Sequence, residues 1–162
     1  MEDVKFDPSE SSLQECLNFL TEYRGAHCKT VGPTQFSDIE LADKLTSEFG
    51  YKPIGEEWNP IMPDQAARLL QMAFSTGLAD GLPRLDLVQS VLTANRLACL
   101  VDIDARFYTN VNSADSLGIL TWTPVSEMAF DCMVLAVDNE TGWLIAINEG
   151  REDQRVQQNI EF

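Results

Sequence analysis

Apolar residues recur at helical spacing through the first half of the chain. The sequence SLQE at 12–15 is a capping-box pattern, and Gly25 ends the periodic stretch that follows it. The sequence SDIE at 37–40 repeats this arrangement, and Gly50 ends the second stretch. Two amphipathic helices are therefore predicted. Their apolar faces consist of Leu13, Cys16, Leu17, Leu20 and Tyr23 in the first and Ile39, Ala42, Leu45 and Phe49 in the second.

A segment rich in proline and glycine separates these helices from a third. Residues 50–63 contain three prolines and two glycines, so we expect irregular structure there, with Trp58 folded back onto the core. Pro63 suits the first turn of the third helix, which ends before the sequence GLADGLP at 77–83. A fourth helix is predicted to end near Asn95. Its apolar pattern consists of Leu85, Val88, Val91 and Leu92.

The spacing of apolar residues changes from helical towards alternating near residue 97, where β-branched and aromatic residues become common. These segments predict strands at 97–103, 105–111 and 117–123. Residues 132–148 predict a hairpin, because two apolar strands flank the turn sequence DNETG. The predicted fold class is α+β, with N-terminal helices packed on a C-terminal antiparallel β-sheet.

A single domain is expected over residues 1–162, because two separate cores would each be small. The helical part is predicted at about 11–95 and the sheet part at about 97–148, with loose tails at 1–10 and 151–162. The acidic first residues lack the apolar run of a signal peptide, and no stretch approaches the roughly 18 apolar residues of a membrane span. A cytoplasmic protein is therefore predicted.

Cysteine and histidine usage argues against several kinds of site. The cysteines are scattered without a CxxC pair, so we expect reduced thiols. The single histidine, His27, adjoins Cys28, but neighbouring side chains usually point apart and do not form a catalytic dyad. Motifs of the types GxxxxGK[ST], GxGxxG, HExxH and GxSxG are absent. This excludes the enzyme classes that are most often recognised from a short sequence motif. No cofactor is predicted.

Charge is the strongest compositional signal. The chain has 26 acidic and 11 basic side chains, for a formal net charge of −15. Nucleic acid and anionic membrane are poor partners for such a surface, whereas a basic protein is a good one. Many acidic proteins are acidic for solubility alone, and that interpretation stays open.

Asp102 and Asp104 are the candidate pair for carboxylate chemistry. In an extended strand, residues two apart lie on the same face, so the two carboxylates are expected to point together. A hard cation could use such a pair, but no further ligand is marked in the sequence. A solvated strand face that includes Arg106 accounts for the pattern without a metal, and we favour it.

The predicted sheet region is acidic throughout. No lysine or arginine occurs from Phe107 to Gly150. Such a surface would steer a cationic protein towards it, and Trp122, Phe130 and Trp143 are either anchors for that partner or core residues. The candidate partner-binding residues are Asp102, Asp104, Asp131, Asp138, Glu140, Glu149, Glu152 and Asp153.

The segment LTWTPVSEMAFDCMVLAVDNETGWLIAINEGRED, at 120–153, resembles the C-terminal part of small bacterial immunity proteins of polymorphic and contact-dependent toxin systems. The resemblance rests on Trp122, Pro124, the Phe130–Asp131 pair, an apolar strand, a turn, and a last strand ending in acidic residues. The resemblance covers about a fifth of the chain. It implies a cytoplasmic inhibitor that occludes the active site of a toxin, with a basic nuclease as the natural counterpart.

Three functional hypotheses follow. The first is an acidic immunity protein that binds a cognate basic toxin without turnover. The second hypothesis rests on the same negative net charge. It is a phage or plasmid inhibitor whose carboxylates imitate the phosphates of DNA. The third is a carboxylate-dependent metal hydrolase that uses Asp102 and Asp104. An adaptor role is compatible with the same features, and the oligomeric state is left open.

Overall fold

The computed structural model describes residues 6–114 and 120–150, which form one α+β domain as predicted. Helices dominate the N-terminal half and strands the C-terminal half. The helices are α1 (Leu13–Arg24), α2 (Asp38–Glu48), α3 (Pro63–Ser75) and α4 (Leu87–Cys99). The strands are β1 (His27–Val31), β2 (Asn59–Ile61), β3 (Arg106–Thr109), β4 (Val111–Ala114), β5 (Leu120–Trp122), β6 (Phe130–Val137) and β7 (Gly142–Glu149).

The predicted capping residues of the first two helices, Ser12 and Ser37, are both confirmed. The Ser12 hydroxyl accepts from the Glu15 backbone N–H at 3.1 Å, and the Glu15 carboxylate accepts from the Ser12 backbone N–H at 3.1 Å. This reciprocal capping box satisfies two N–H groups that a helix start leaves unpaired. Gly25 ends α1 in the left-handed conformation, with φ of 72°. In α2, the Ser37 hydroxyl accepts from the Glu40 N–H at 3.3 Å.

The main sheet has five antiparallel strands in the order β1-β7-β6-β3-β2. Its centre is the predicted hairpin, in which β6 and β7 pair from Phe130 opposite Glu149 to Val137 opposite Gly142. The Asp138 N–H closes the turn on the Thr141 carbonyl at 2.9 Å. A separate two-stranded sheet pairs β4 with β5.

Helices cover both faces of the main sheet, which explains why its central strands are apolar on both sides. The α1, α3 and α4 helices pack on one face, where Trp143 and Phe107 contribute large side chains. The α2 helix and the segment before β2 cover the other face. Trp58 is buried there, as expected, and its indole N–H donates to Asp43 at 2.9 Å.

The predicted strand at 97–103 is wrong. Helix α4 does not end near Asn95 but continues to Cys99, and residues 100–105 form a turn. Leu97 is fully buried on the helix, and its carbonyl accepts a hydrogen bond from the Trp143 indole at 3.0 Å. An apolar run of this length is equally compatible with a buried helix segment, and here tertiary packing selects the helix.

Two edge strands were not predicted. Strand β1 extends the sheet beside β7, and β2 lies within the segment 50–63, which was expected to be irregular. Within β2, Pro60 lies opposite Tyr108 of β3. Proline is tolerated there because an edge strand forms hydrogen bonds on one side only.

The N-terminal tail and the third predicted strand also differ from expectation. Residues 6–10 pack on the helices, where the Phe6 ring stacks on Phe19 at 4.3 Å between centroids. In the segment 117–123, β5 occupies only Leu120–Trp122 among the described residues. The remaining predicted tail residues, 1–5 and 151–162, lie outside the described chain.

Candidate protein-binding surface

Two turns meet at one end of the main sheet, and we call this region the hairpin end. It comprises residues 100–105, between α4 and β3, and residues 138–141, between β6 and β7. The Asp138 carboxylate joins them. Its Oδ2 accepts from the Asp102 backbone N–H at 2.9 Å, and its Oδ1 accepts from the N–H groups of Glu140 at 2.7 Å and Thr141 at 2.6 Å.

The same hydrogen bonds affect the pKa of the Asp138 carboxyl group. Partial burial raises the pKa of this carboxyl, but the backbone N–H groups of Asp102, Thr141 and Glu140 outweigh the burial. Arg106 lies near enough to lower the pKa further. The net pKa is below the ordinary value, so Asp138 is an anion at neutral pH.

Asp102 and Asp104 flank the most exposed large apolar side chain among the described residues. Ile103 is 92% exposed. Asp102 Oδ1 accepts from the Ile103 N–H at 2.8 Å, and the Asp102 carbonyl accepts from the Ala105 N–H at 2.9 Å. The expectation that the two aspartates share one face of a strand is therefore wrong. They lie in a hydrogen-bonded turn and are both exposed.

Arg106 was expected beside the two aspartates, but it binds Asp38 at the start of α2. Its Nε donates to Asp38 Oδ2 at 2.6 Å and its Nη2 to Oδ1 at 3.1 Å. The Tyr108 hydroxyl also donates to Asp38, at 2.6 Å. The Arg106 hydrogen bond holds the pKa of Asp38 low, while burial and Asp38 raise the pKa of Tyr108 to about 12.

The hairpin end consequently keeps a negative charge. Among the ion pairs found in residues 6–114 and 120–150, none includes Asp102, Asp104, Asp138 or Glu140. The sequence placed all four in its partner-binding set, and the structure brings them together. What the sequence missed is Ile103, because a strand prediction placed this residue on the apolar side.

Two other predicted site residues are internal. Asp131 is 3% exposed and accepts from the Val125 and Ser126 N–H groups, at 3.0 and 3.1 Å, and from Asn148 Nδ2 at 2.6 Å. A fourth bond comes from the Ser126 hydroxyl at 2.5 Å. The carboxylate holds the 123–129 loop against the central hairpin and is not presented to solvent.

Glu149 is also used internally. Its carboxylate binds the buried guanidinium of Arg24 and accepts from the Leu78 N–H at 2.9 Å. It lies at the opposite end of β7 from Gly142, about 23 Å along the strand. Glu152 and Asp153 lie outside the described residues.

The three aromatic candidates do not belong to the hairpin end. Trp143 is fully buried and is a core residue. Trp122 and Phe130 are half-buried and pack together, with ring centroids 5.4 Å apart. Because Phe130 pairs with Glu149, both rings lie at the other end of the sheet. Exposed apolar side chains closer to the hairpin end are Phe36 and Met62, which follow β1 and β2 there.

Metal ligands and thiols among the described residues bear on catalytic and metal chemistry. No group of three or more histidine, cysteine, aspartate or glutamate side chains there could hold a metal ion. Burial raises the thiol pKa values of Cys16 and Cys28 to about 11 and of Cys132 to about 12, which makes them poor nucleophiles. Across the same residues, no helix has the length and apolar character to cross a membrane.

Comparisons with protein-family models, with curated proteins and with solved structures found no match to this chain.

Proposed function

We propose that this protein is a cytoplasmic inhibitor of the immunity type, which binds a basic toxin domain through the hairpin end and blocks its active site. The observation behind the proposal is the highly exposed Ile103 between two carboxylates that form no ion pair among the described residues, in a turn hydrogen-bonded to Asp138. An isolated apolar side chain at the surface is common, but one fixed inside an anionic rim has the composition of a protein-binding centre.

The charges give the proposed partner its chemistry. The hairpin end has four carboxylates on a chain of net charge −15, so its field attracts cationic surfaces and raises their association rate. Nuclease toxins present lysine and arginine to bind phosphate, and the same groups can pair with carboxylates. When the hairpin end occupies the toxin's lysines and arginines, the toxin cannot bind nucleic acid. Inhibition therefore needs no catalysis by the inhibitor.

Ile103 supplies the short-range part of the binding energy. Moving an isoleucine side chain from water into a partner's pocket contributes about 1.5–3 kcal/mol. Three hydrogen bonds at Asp102 hold the turn before binding: its N–H donates to Asp138, its carboxylate accepts from the Ile103 N–H, and its carbonyl accepts from the Ala105 N–H. Little conformational entropy is therefore lost when the partner docks. The resemblance of 120–153 to immunity proteins supports the same assignment.

The first test is capture of the partner from source cells with the tagged protein. We expect one basic protein, retained at low salt and released at high salt, whose toxicity is neutralised by coexpression of the wild-type chain. The variant Asp102→Lys/Asp104→Lys should lose both capture and protection. A matched control is Glu22→Lys/Glu127→Lys, which makes the same charge change at exposed positions away from the hairpin end.

Other outcomes would contradict the proposal. Equal loss of capture in both double variants would mean that net charge, not the hairpin end, determines binding. Displacement of duplex DNA from several unrelated DNA-binding proteins would identify a DNA mimic. Stabilisation of the wild-type chain by Mg²⁺, Mn²⁺ or Ca²⁺, lost in Asp102→Asn, would favour the metal hydrolase.

A further inference from the structure

Helix α4 presents apolar side chains to solvent. Leu87 and Val88 are 63% exposed and Leu92 is 43% exposed. At 100° per residue, these side chains lie on one side of the helix together with Val91, Asn95 and the exposed Cys99. The sequence pattern that predicted this helix therefore lies largely on its outer side.

The inner side of α4 is less apolar than the outer side. It consists of Ser90, Thr93, Ala94 and Leu97, all fully buried. Among the described residues, the buried Thr93 hydroxyl has no hydrogen-bond partner, and neither does the buried Gln89 Oε1. A helix normally turns its apolar stripe towards the core. Here a second apolar stripe is left over, which indicates that another surface covers it.

Charge indicates what that surface is. Helix α4 contains no acidic residue in its 13 positions, although 26 of the 162 residues of the chain are acidic. Its one basic residue, Arg96, donates to the Ser11 carbonyl at 2.9 Å and packs inward. Between the exposed N-cap residue Asp86 and the turn that contains Asp102, the exposed side of α4 is therefore a neutral apolar strip on a strongly anionic protein.

We propose that the outer side of α4 is a self-association surface, occupied by α4 of a second copy of this chain. A basic partner is drawn to the carboxylates of the hairpin end, whereas two anionic copies can approach closely only where both are uncharged. Packed helices have axes about 8–10 Å apart, a distance at which facing acidic residues would repel. The proposal does not rest on the proposed function.

A two-fold dimer in which the α4 helices cross obliquely near Val91 satisfies this arrangement, because the crossing keeps Asp86 of one copy away from Asp102 of the other. The helix is about 20 Å long. Its strip pairs with itself in an isologous contact, so each exposed side chain is buried in both copies. One helix face gives an interface at the small end of the stable range, and we expect a dissociation constant of about 1–100 µM.

The test is sedimentation equilibrium of the full chain over protein concentrations that span this range. We expect a reversible monomer–dimer equilibrium for the wild type. The variant Leu92→Glu places two glutamates in the contact and should raise the dissociation constant at least about tenfold. The matched control Phe36→Glu adds the same charge at an apolar position of similar exposure, beside α2 on the opposite face of the sheet, and should leave the equilibrium unchanged.

Cys99 provides a second readout that does not depend on a variant. It is exposed beside the strip, so its alkylation rate should fall as the protein concentration rises through the dissociation constant. A wild-type chain that stays monomeric through this range, with Cys99 equally reactive throughout, would overturn the proposal. So would dimers that Leu92→Glu and Phe36→Glu affect equally.

Discussion

Replacing Asp138 tests whether the two turns of the hairpin end form one unit. The carboxylate accepts three backbone N–H groups at 2.6–2.9 Å, two within its own turn and one from Asp102. A hydrogen bond to a charged group contributes up to about 1.5–3 kcal/mol when buried. Asp138 is only partly buried, and solvent reduces this to about 0.5 kcal/mol per bond.

The variant Asp138→Ala should therefore lower the free energy of unfolding by about 1.5 kcal/mol and the melting temperature by about 3–6 °C. The variant Asp138→Asn is the informative control. Its Oδ1 can still accept within the hairpin turn, but its amide cannot accept from the Asp102 N–H. We expect about a third of the loss, because one bond of the three is removed.

Hydrogen exchange of individual backbone amides locates the effect. The Asp102 amide should lose protection in both variants, whereas the Glu140 and Thr141 amides should lose it only in Asp138→Ala. The linkage to pH has a definite sign. Because the folded pKa of Asp138 is lowered, its contribution is present at neutral pH and disappears as the pH falls through that pKa. Unchanged Asp102 exchange in both variants would refute the reasoning.

Three further predictions concern the interior. Asp131→Ala should cost about 3–5 kcal/mol in urea unfolding, since it leaves buried N–H groups without an acceptor, and a loss below 1 kcal/mol would contradict this assignment. Arg24→Met should cost a similar amount, because Glu149 then keeps only the more distant Arg84, at 3.7 Å, and the Ala73 carbonyl loses its buried donor. Arg24→Met/Glu149→Leu should recover part of the loss in the same assay. In the native protein at pH 8, and below about 1 µM protein where the chain is expected to be monomeric, a thiol reagent should modify Cys99 rapidly, as peptide mass spectrometry can show. Protection before unfolding is expected for the buried thiols Cys16 and Cys132, and slow modification for the half-buried Cys28.

Local signals explain which parts of the fold could be predicted. The capping residues Ser12 and Ser37 and the turn at 138–141 specify their elements within a few positions, and all three are present in the structure. Strand β1 depends on pairing with β7, more than a hundred residues away, and its own composition does not distinguish it from a loop. Long-range pairing therefore set the limit of prediction here.

The candidate surface shows the same limit. The sequence identified the acidic residues at 102, 104, 138 and 140, but it grouped them with Asp131 and Glu149, which the structure uses internally. Burial of a carboxylate depends on donors that come from other segments. The apolar run at 97–101 was compatible with either a strand or a helix, so the turn that exposes Ile103 could not be predicted.

The most direct test of the central claim is the association rate of the purified protein with its captured basic partner. It should be measured at low and high salt for the wild type, Asp102→Lys/Asp104→Lys and Glu22→Lys/Glu127→Lys. We predict a wild-type rate that falls steeply with salt, a slow and nearly salt-independent rate for the hairpin-end variant, and a control rate close to the wild type. Equal rates for the two variants at every salt concentration would contradict the account.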